Sequence, residues 1–119
     1  MTWFLSKIVY QIICGEGDHT PQVDEQLRLV MATDIEDAVE KSETIGRQEE
    51  ERFYNHKQQL VQWKYVGVAE LTMIDEFVHG AEVHSQIKEV EDAEAYRSFV
   101  LHKSNTLIKN GSLHKLQTA

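Results

Sequence analysis

The run from Leu60 to Leu71, LVQWKYVGVAEL, constrains the fold more than any other part of the sequence. It consists largely of β-forming residues, and alternation along it places apolar side chains on both faces. A strand of this kind normally lies inside a sheet, with other structure covering each side. The run therefore predicts a central strand in a sheet whose two faces are both partly apolar.

The N-terminal part of the chain predicts an antiparallel hairpin. Residues 3–14 alternate between two faces, and residues 22–32 repeat the pattern. The stretch between them, residues 15–21, is rich in turn-forming residues, which suits a longer hairpin loop. The two runs are therefore expected to pair side by side.

Two helices and two further strands are expected after the hairpin. Thr33 with Glu36 fits a capping box at the start of the first helix. Residues 53–55 suggest a short strand, and residues 81–90 alternate as a strand with one solvent-exposed face. The final helix begins near Glu91, and Asn110 with Gly111 stops it.

These elements predict an α+β fold in the order β-β-α-(β)-β-β-α. We expect an antiparallel sheet of four to five strands with two helices packed on one face, a ferredoxin-like two-layer sandwich. Residues 1–111 are expected to form a single domain and residues 112–119 a C-terminal tail. A chain of 119 residues can bury a modest core, so a second copy is a plausible source of further burial.

Two helices can cover one face of a sheet, yet the second face is also apolar. Val61, Trp63 and Tyr65 are predicted to face the helices, and Gly67 is predicted to mark a bulge where the two faces exchange. A contiguous apolar patch on the other face is typical of an interface or a groove. The candidate interface residues are Trp3, Leu5, Val9, Leu60, Val66 and Val68. A homodimer through this face is the favoured interpretation; a ligand cleft and a covering loop from residues 73–80 are the alternatives.

Composition excludes several classes of partner. The formal net charge is −8 and no cluster of Lys or Arg occurs, which disfavours binding to nucleic acid or to anionic membranes. Cys14 is the only cysteine, so no intrachain disulfide is expected. The N-terminal apolar run has the features of neither a signal peptide nor a membrane span, which predicts a cytoplasmic protein. An acidic surface could also suit a basic protein partner.

No sequence motif assigns a reaction. The chain has neither a nucleophile elbow nor a phosphate-binding glycine loop, and we expect no cofactor and no metal site. The densest group of titratable residues contains His79, Glu82 and His84. His84 and Glu82 lie two apart on the predicted strand, so a carboxylate could orient a histidine base there. A solvated strand face is the plainer interpretation of the same residues.

The sequence resembles a family of small bacterial proteins catalogued as a domain of unknown function. The similarity covers roughly residues 3–100, and its most specific part is the strand V-Q-W-K-Y-V-G-V-A-E-L. The resemblance implies a bacterial, cytoplasmic, single-domain α+β protein and brings no catalytic residues. Two hypotheses follow: a non-enzymatic homodimeric binding or interaction module, or a small dimeric ferredoxin-like enzyme or ligand-binding protein with a histidine-containing cleft.

Overall fold

The computed structural model describes residues 1–110, which fall into two compact units. The first comprises Met1–Ser85 and the second begins at Gln86. The elements of the first unit are β1 (Thr2–Cys14), β2 (Gln22–Ala32), α1 (Ile35–Gln48), β3 (Glu51–Tyr54) and β4 (Leu60–Ile74). The second unit contains α2 (Ala93–Asn110). The predicted tail, residues 112–119, lies outside the described residues, and the single domain over residues 1–111 stays a prediction.

The four strands form one antiparallel sheet in the order β2-β1-β4-β3. The predicted hairpin is confirmed, with Thr2 opposite Ala32 and Ile12 opposite Gln22. On its other side, β1 pairs along its length with β4, the strand predicted from the Leu60–Leu71 run. The α+β class and the four antiparallel strands are therefore confirmed. The ferredoxin-like sandwich and its strand order are not confirmed.

One predicted strand is wrong: residues 81–90 do not form a strand. The alternation places only two large apolar side chains, Val83 and Ile87, on its inward face, and both are exposed. Alternation favours a strand only where a neighbouring strand pairs with it, so it does not by itself hold the segment in a ladder. The short strand predicted at residues 53–55 exists as β3 and completes the sheet at its far edge.

The first helix begins one residue later than its capping box suggested. Asp34 is the N-cap, and its Oδ1 accepts a hydrogen bond from the backbone N–H of Asp37 at 2.8 Å. The Asp37 carboxylate in turn accepts from the backbone N–H of Thr33 at 2.9 Å. That backbone hydrogen bond, helped by Lys41, holds the pKa of Asp37 below its usual value. Asp34 therefore takes the capping role that the pattern gave to Thr33.

Small residues bring α1 close to the sheet. Ala38, Ser42 and Gly46 recur every fourth residue, share one side of the helix and are buried. The hydroxyl of Tyr10 donates a hydrogen bond to the Gly46 carbonyl at 2.7 Å, and burial raises the pKa of Tyr10. The ring of Tyr65 meets Tyr10 edge to face, with centroids 6.1 Å apart. This contact makes the side of the sheet with the even-numbered residues of β1 the core.

Two bulges interrupt β4 where it pairs with β1. The register shifts between Val9 and Tyr10, opposite Gly67 and Tyr65, and leaves Val66 as an extra residue. It shifts again between Lys7 and Ile8, which leaves Ala69 as a second extra residue. The bulge predicted at Gly67 is therefore confirmed, and the residues between the two bulges exchange faces relative to a straight strand.

The second unit, as far as Asn110, contains one helix. Its helix α2 has 18 residues, none of which is buried. Because α2 belongs to this unit, its place in the predicted two-helix layer stays a prediction. Among residues 1–110, no helix combines the length and the apolar character that crossing a bilayer requires.

We predict that Gly46→Ala destabilises the protein by about 2 kcal/mol, because overpacking a close contact costs about 1–3 kcal/mol. A Cβ atom at position 46 would overlap the ring of Tyr65. Urea unfolding followed by circular dichroism measures the change. Gly67→Ala is the matched control, since a Cβ there meets nothing within 4 Å. A Gly46→Ala protein as stable as the control would contradict the close-contact argument.

Candidate functional site

The face of the sheet opposite α1, called the far face here, carries the candidate site. Its centre is the odd-numbered half of β1, including Leu5, Lys7 and Val9. On β2 the matching positions hold Leu27 opposite Lys7 and Leu29 opposite Leu5. Because strands alternate, every one of these side chains points away from the helix-packed core.

Lys7 is the one charged residue of β1 on this face, and it is paired. Its Nζ lies 3.4 Å from Glu70 Oε2 on the neighbouring strand β4, and its side chain is only 19% exposed. An ammonium group among apolar neighbours needs a carboxylate partner to remain charged without a large penalty. Glu70 Oε2 also lies 3.8 Å from His84 Nε2. Lys7, Glu70 and His84 thus form a polar cluster, which we call the triad.

A cavity of about 560 Å³ lies beside the triad. It is lined on one side by Thr72 and Met73 at the end of β4 and on the other by the segment of residues 81–85. Glu82 and His84 both belong to that segment, so the structure brings these two predicted site residues to one cavity. The cavity lies within the range of about 300–1,000 Å³ that is typical of small-molecule sites.

His79 lies apart from that pair. It lines a smaller cavity of about 280 Å³ with Phe77 and Val78. Phe77 in turn packs near Trp3, with ring centroids 6.2 Å apart. Among residues 1–110, no group of three His, Cys, Asp or Glu side chains is arranged to hold a metal ion.

The loop after β4 covers only part of the far face. Trp3 meets Phe77, and Ile74 at the end of β4 is 5% exposed. Towards β2 the face stays open, and the large apolar residues there are between 39% and 62% exposed: Val23, Leu27, Leu29 and Met31. We call these four residues the β2 row. The covering loop predicted as an alternative therefore accounts for the β4 side of the face and not for the β2 side.

The candidate interface residues do not all lie on the far face. Trp3, Leu5 and Val9 lie on the far face as predicted. Val66 is the extra residue of the first bulge and is exposed, and Leu60 lies opposite Tyr54 of β3. Val68 lies opposite Ile8, whose side chain is fully buried on the helix side, so the bulge turns Val68 away from the far face. The interface role of the other five residues stays a prediction.

Sequence reasoning missed the pairing of Lys7 with Glu70. An acid and a base on two strands become neighbours only in a defined register, and two bulges set that register here. The β2 row was visible as an alternating apolar pattern. It was not identified as the open part of the face, because nothing in the sequence showed which strand the loop after β4 would cover.

We predict that the Lys7–Glu70 pair contributes more to the free energy of unfolding than a more exposed ion pair does. A double-mutant cycle of Lys7→Met and Glu70→Gln should give a coupling energy of about 0.5–1 kcal/mol that falls as salt rises, because half-exposed Glu70 is partly screened. The control cycle uses Glu43 and Arg47, a more exposed pair at 3.7 Å on α1. The coupling energy of this control pair should be smaller, about 0.3 kcal/mol. Equal coupling in the two cycles would contradict the prediction.

Comparison with known proteins places the chain in a family without assigning an activity. No curated protein and no solved structure matches the sequence. A family described as a domain of unknown function, DUF4288, matches residues 3–85, a range that ends where the first compact unit ends. The match covers well over half of the chain, which therefore belongs to the DUF4288 family.

Proposed function

We propose that the protein is a homodimeric interaction module that binds a second copy of itself through the β2 side of the far face. The observation that carries the proposal is the β2 row. Each large apolar side chain left in water forgoes roughly 1.5–3 kcal/mol of burial. A row of them along one strand, with Glu25 between Val23 and Leu27, is uncommon on a monomer.

Charge permits a second copy at this surface. Each chain has a formal net charge of −8, so two copies repel each other at long range and must meet where acidic groups are sparse. The far-face positions of β1 and β2 include one base, Lys7, and one acid, Glu25, opposite Val9. In a two-fold contact the same patch meets itself, so the acid of each copy can face the base of the other.

The length of the surface also suits a dimer. β1 and β2 pair over eleven residues, from Thr2 to Ile12 on β1. At about 3.3 Å per residue this surface is about 36 Å long. A stable interface buries about 800 Å² per partner, so a dimer contact along these two strands, which together span only about 10 Å in width, would extend onto neighbouring surface.

We predict that the wild-type chain sediments as a dimer and that Leu29→Glu is monomeric. A buried, unpaired carboxylate should weaken self-association by at least about tenfold. Sedimentation velocity over a concentration series measures this, and far-ultraviolet circular dichroism confirms that the variant is folded. Ile35→Glu is the matched control: it places the same charge at an exposed apolar position in the first turn of α1, away from the far face.

The wild type and the Ile35→Glu control should behave alike in that series. A wild-type chain that remains monomeric at submillimolar concentration would overturn the proposal. Loss of the dimer in both variants would also count against it, because the contact would then depend on overall charge and not on the β2 row.

A second candidate function is favoured by the cavity beside the triad. His84 and Glu82 line it, and Glu70 Oε2 lies 3.8 Å from His84 Nε2, so a small side-chain movement would let the carboxylate orient the imidazole as a base. On this alternative the protein is a small-molecule-binding protein or a small enzyme, with the dimer as its scaffold.

For this alternative we predict that polar fragments binding the cavity shift the NMR signals of His84 and Ser85. The same shifts should be lost in Thr72→Trp, which fills the cavity from β4, and kept in Leu29→Glu on the other side of the face. A fragment screen that leaves the His84 signals unmoved would remove this alternative and leave the dimer proposal intact.

A further inference from the structure

The outer edge of β4 is open over most of its length. β3 pairs with β4 only from Leu60 to Trp63. The carboxylate of Glu50 then accepts a hydrogen bond from the backbone N–H of Tyr65 at 2.8 Å, which caps the end of this ladder. From Val66 to Ile74, β4 has no strand on its outer side within the described chain. An edge of this kind offers a row of unpaired backbone groups to another strand.

The segment of residues 81–85 lies alongside that edge without pairing to it. His84 Nε2 lies 3.8 Å from Glu70 Oε2, and the segment and β4 form opposite walls of the 560 Å³ cavity. In the part of the chain that the structure describes, no backbone hydrogen bond joins the segment to β4. Within residues 1–110, its one backbone hydrogen bond is the turn bond from the Ala81 N–H to the Val78 carbonyl, 3.0 Å long.

The turn before the segment has the geometry of a chain reversal. Gly80 has a φ of 82°, a conformation that glycine adopts without strain at the third position of a type II turn. Since β4 ends at Ile74 and His84 lies near Glu70, the chain reverses within a few residues and returns along β4. This is the connection that an antiparallel hairpin requires.

We propose that residues 81–85 close onto the outer edge of β4 as a fifth antiparallel strand. With His84 opposite Glu70, Val83 falls opposite Leu71 and Glu82 opposite Thr72. The alternation then agrees with the two faces of β4. His84 stays on the far face with the triad, and Val83 joins Leu71, which packs against the helix-side core.

The physical gain is the pairing of backbone groups on both sides and the burial of Val83, which is 43% exposed when the segment stands off. The consequence is that the segment of residues 81–85 has two positions. When the segment is separated from β4, the cavity is present and the β4 edge is free. When it pairs, the edge is closed and the cavity is filled. The inference does not rest on the dimer proposal, because it concerns the opposite edge of the sheet.

Disulfide trapping tests the register. In a Cys14→Ser background, which removes the only native thiol, Thr72→Cys with Glu82→Cys places two cysteines directly opposite each other in the paired state. Antiparallel partners lie at Cα distances of about 4.5–5.5 Å, within the range of a disulfide. Thr72→Cys with Val83→Cys is the control, since these two side chains would point to opposite faces.

We expect the in-register pair to form an intrachain disulfide at least about tenfold faster than the control pair under mild oxidation, read on non-reducing gels. Equal rates for the two pairs would overturn the proposal. A product linked between two chains would also overturn it, because a second copy would then occupy the β4 edge.

Amide hydrogen exchange on the unmodified chain keeps the proposal testable if the cysteine variants fail to fold. Strand pairing should slow exchange about tenfold or more at outward-pointing amides of residues 70–74 and at alternate amides of residues 81–85. Exchange of all these outward amides at the rate of an open edge would overturn the fifth strand. Neither outcome bears on the sedimentation of the dimer.

Discussion

The close approach of α1 to the central strand is the contact on which the rest of the first unit depends. Ala38, Ser42 and Gly46 leave no bulk between helix and sheet, and the Tyr10 hydroxyl ties the helix backbone to β1. With the helix held this close, one face of the sheet is fixed as core. The opposite face is then left to whatever the remaining chain, a second copy or a ligand can supply.

Much of the fold follows from the sequence because its elements have strong, local patterns. The hairpin, the long strand β4 and both helices are marked by alternation, turn residues and helical spacing, and the family resemblance to a domain of unknown function is confirmed. Trp63 and Tyr65 lie on the helix side as expected. The prediction of a strand at residues 81–90 is wrong, because alternation does not show whether a neighbouring strand pairs with the segment.

The candidate site was less predictable because it depends on register. Glu82 and His84 lie at one cavity, yet their charged neighbours Lys7 and Glu70 come from strands far apart in the sequence. Simple alternation predicts that Val68 lies on the far face, whereas the bulge turns its side chain to the core side. A sequence specifies alternation well but does not show where one extra residue will be accommodated, since that is decided by the partner strand.

The two bulges of β4 have a consequence for how this strand can vary in length. Each bulge adds one residue, and two residues make one full repeat of a strand, so Glu70 and Leu71 regain the faces that an uninterrupted strand would give them. Losing Val66 or Ala69, both exposed, would remove one bulge and leave every other side chain on its present face. A deletion within β1 would instead invert everything beyond it. Relatives of this protein are thus expected to differ in length at these two positions of β4 and to keep the length of β1 constant.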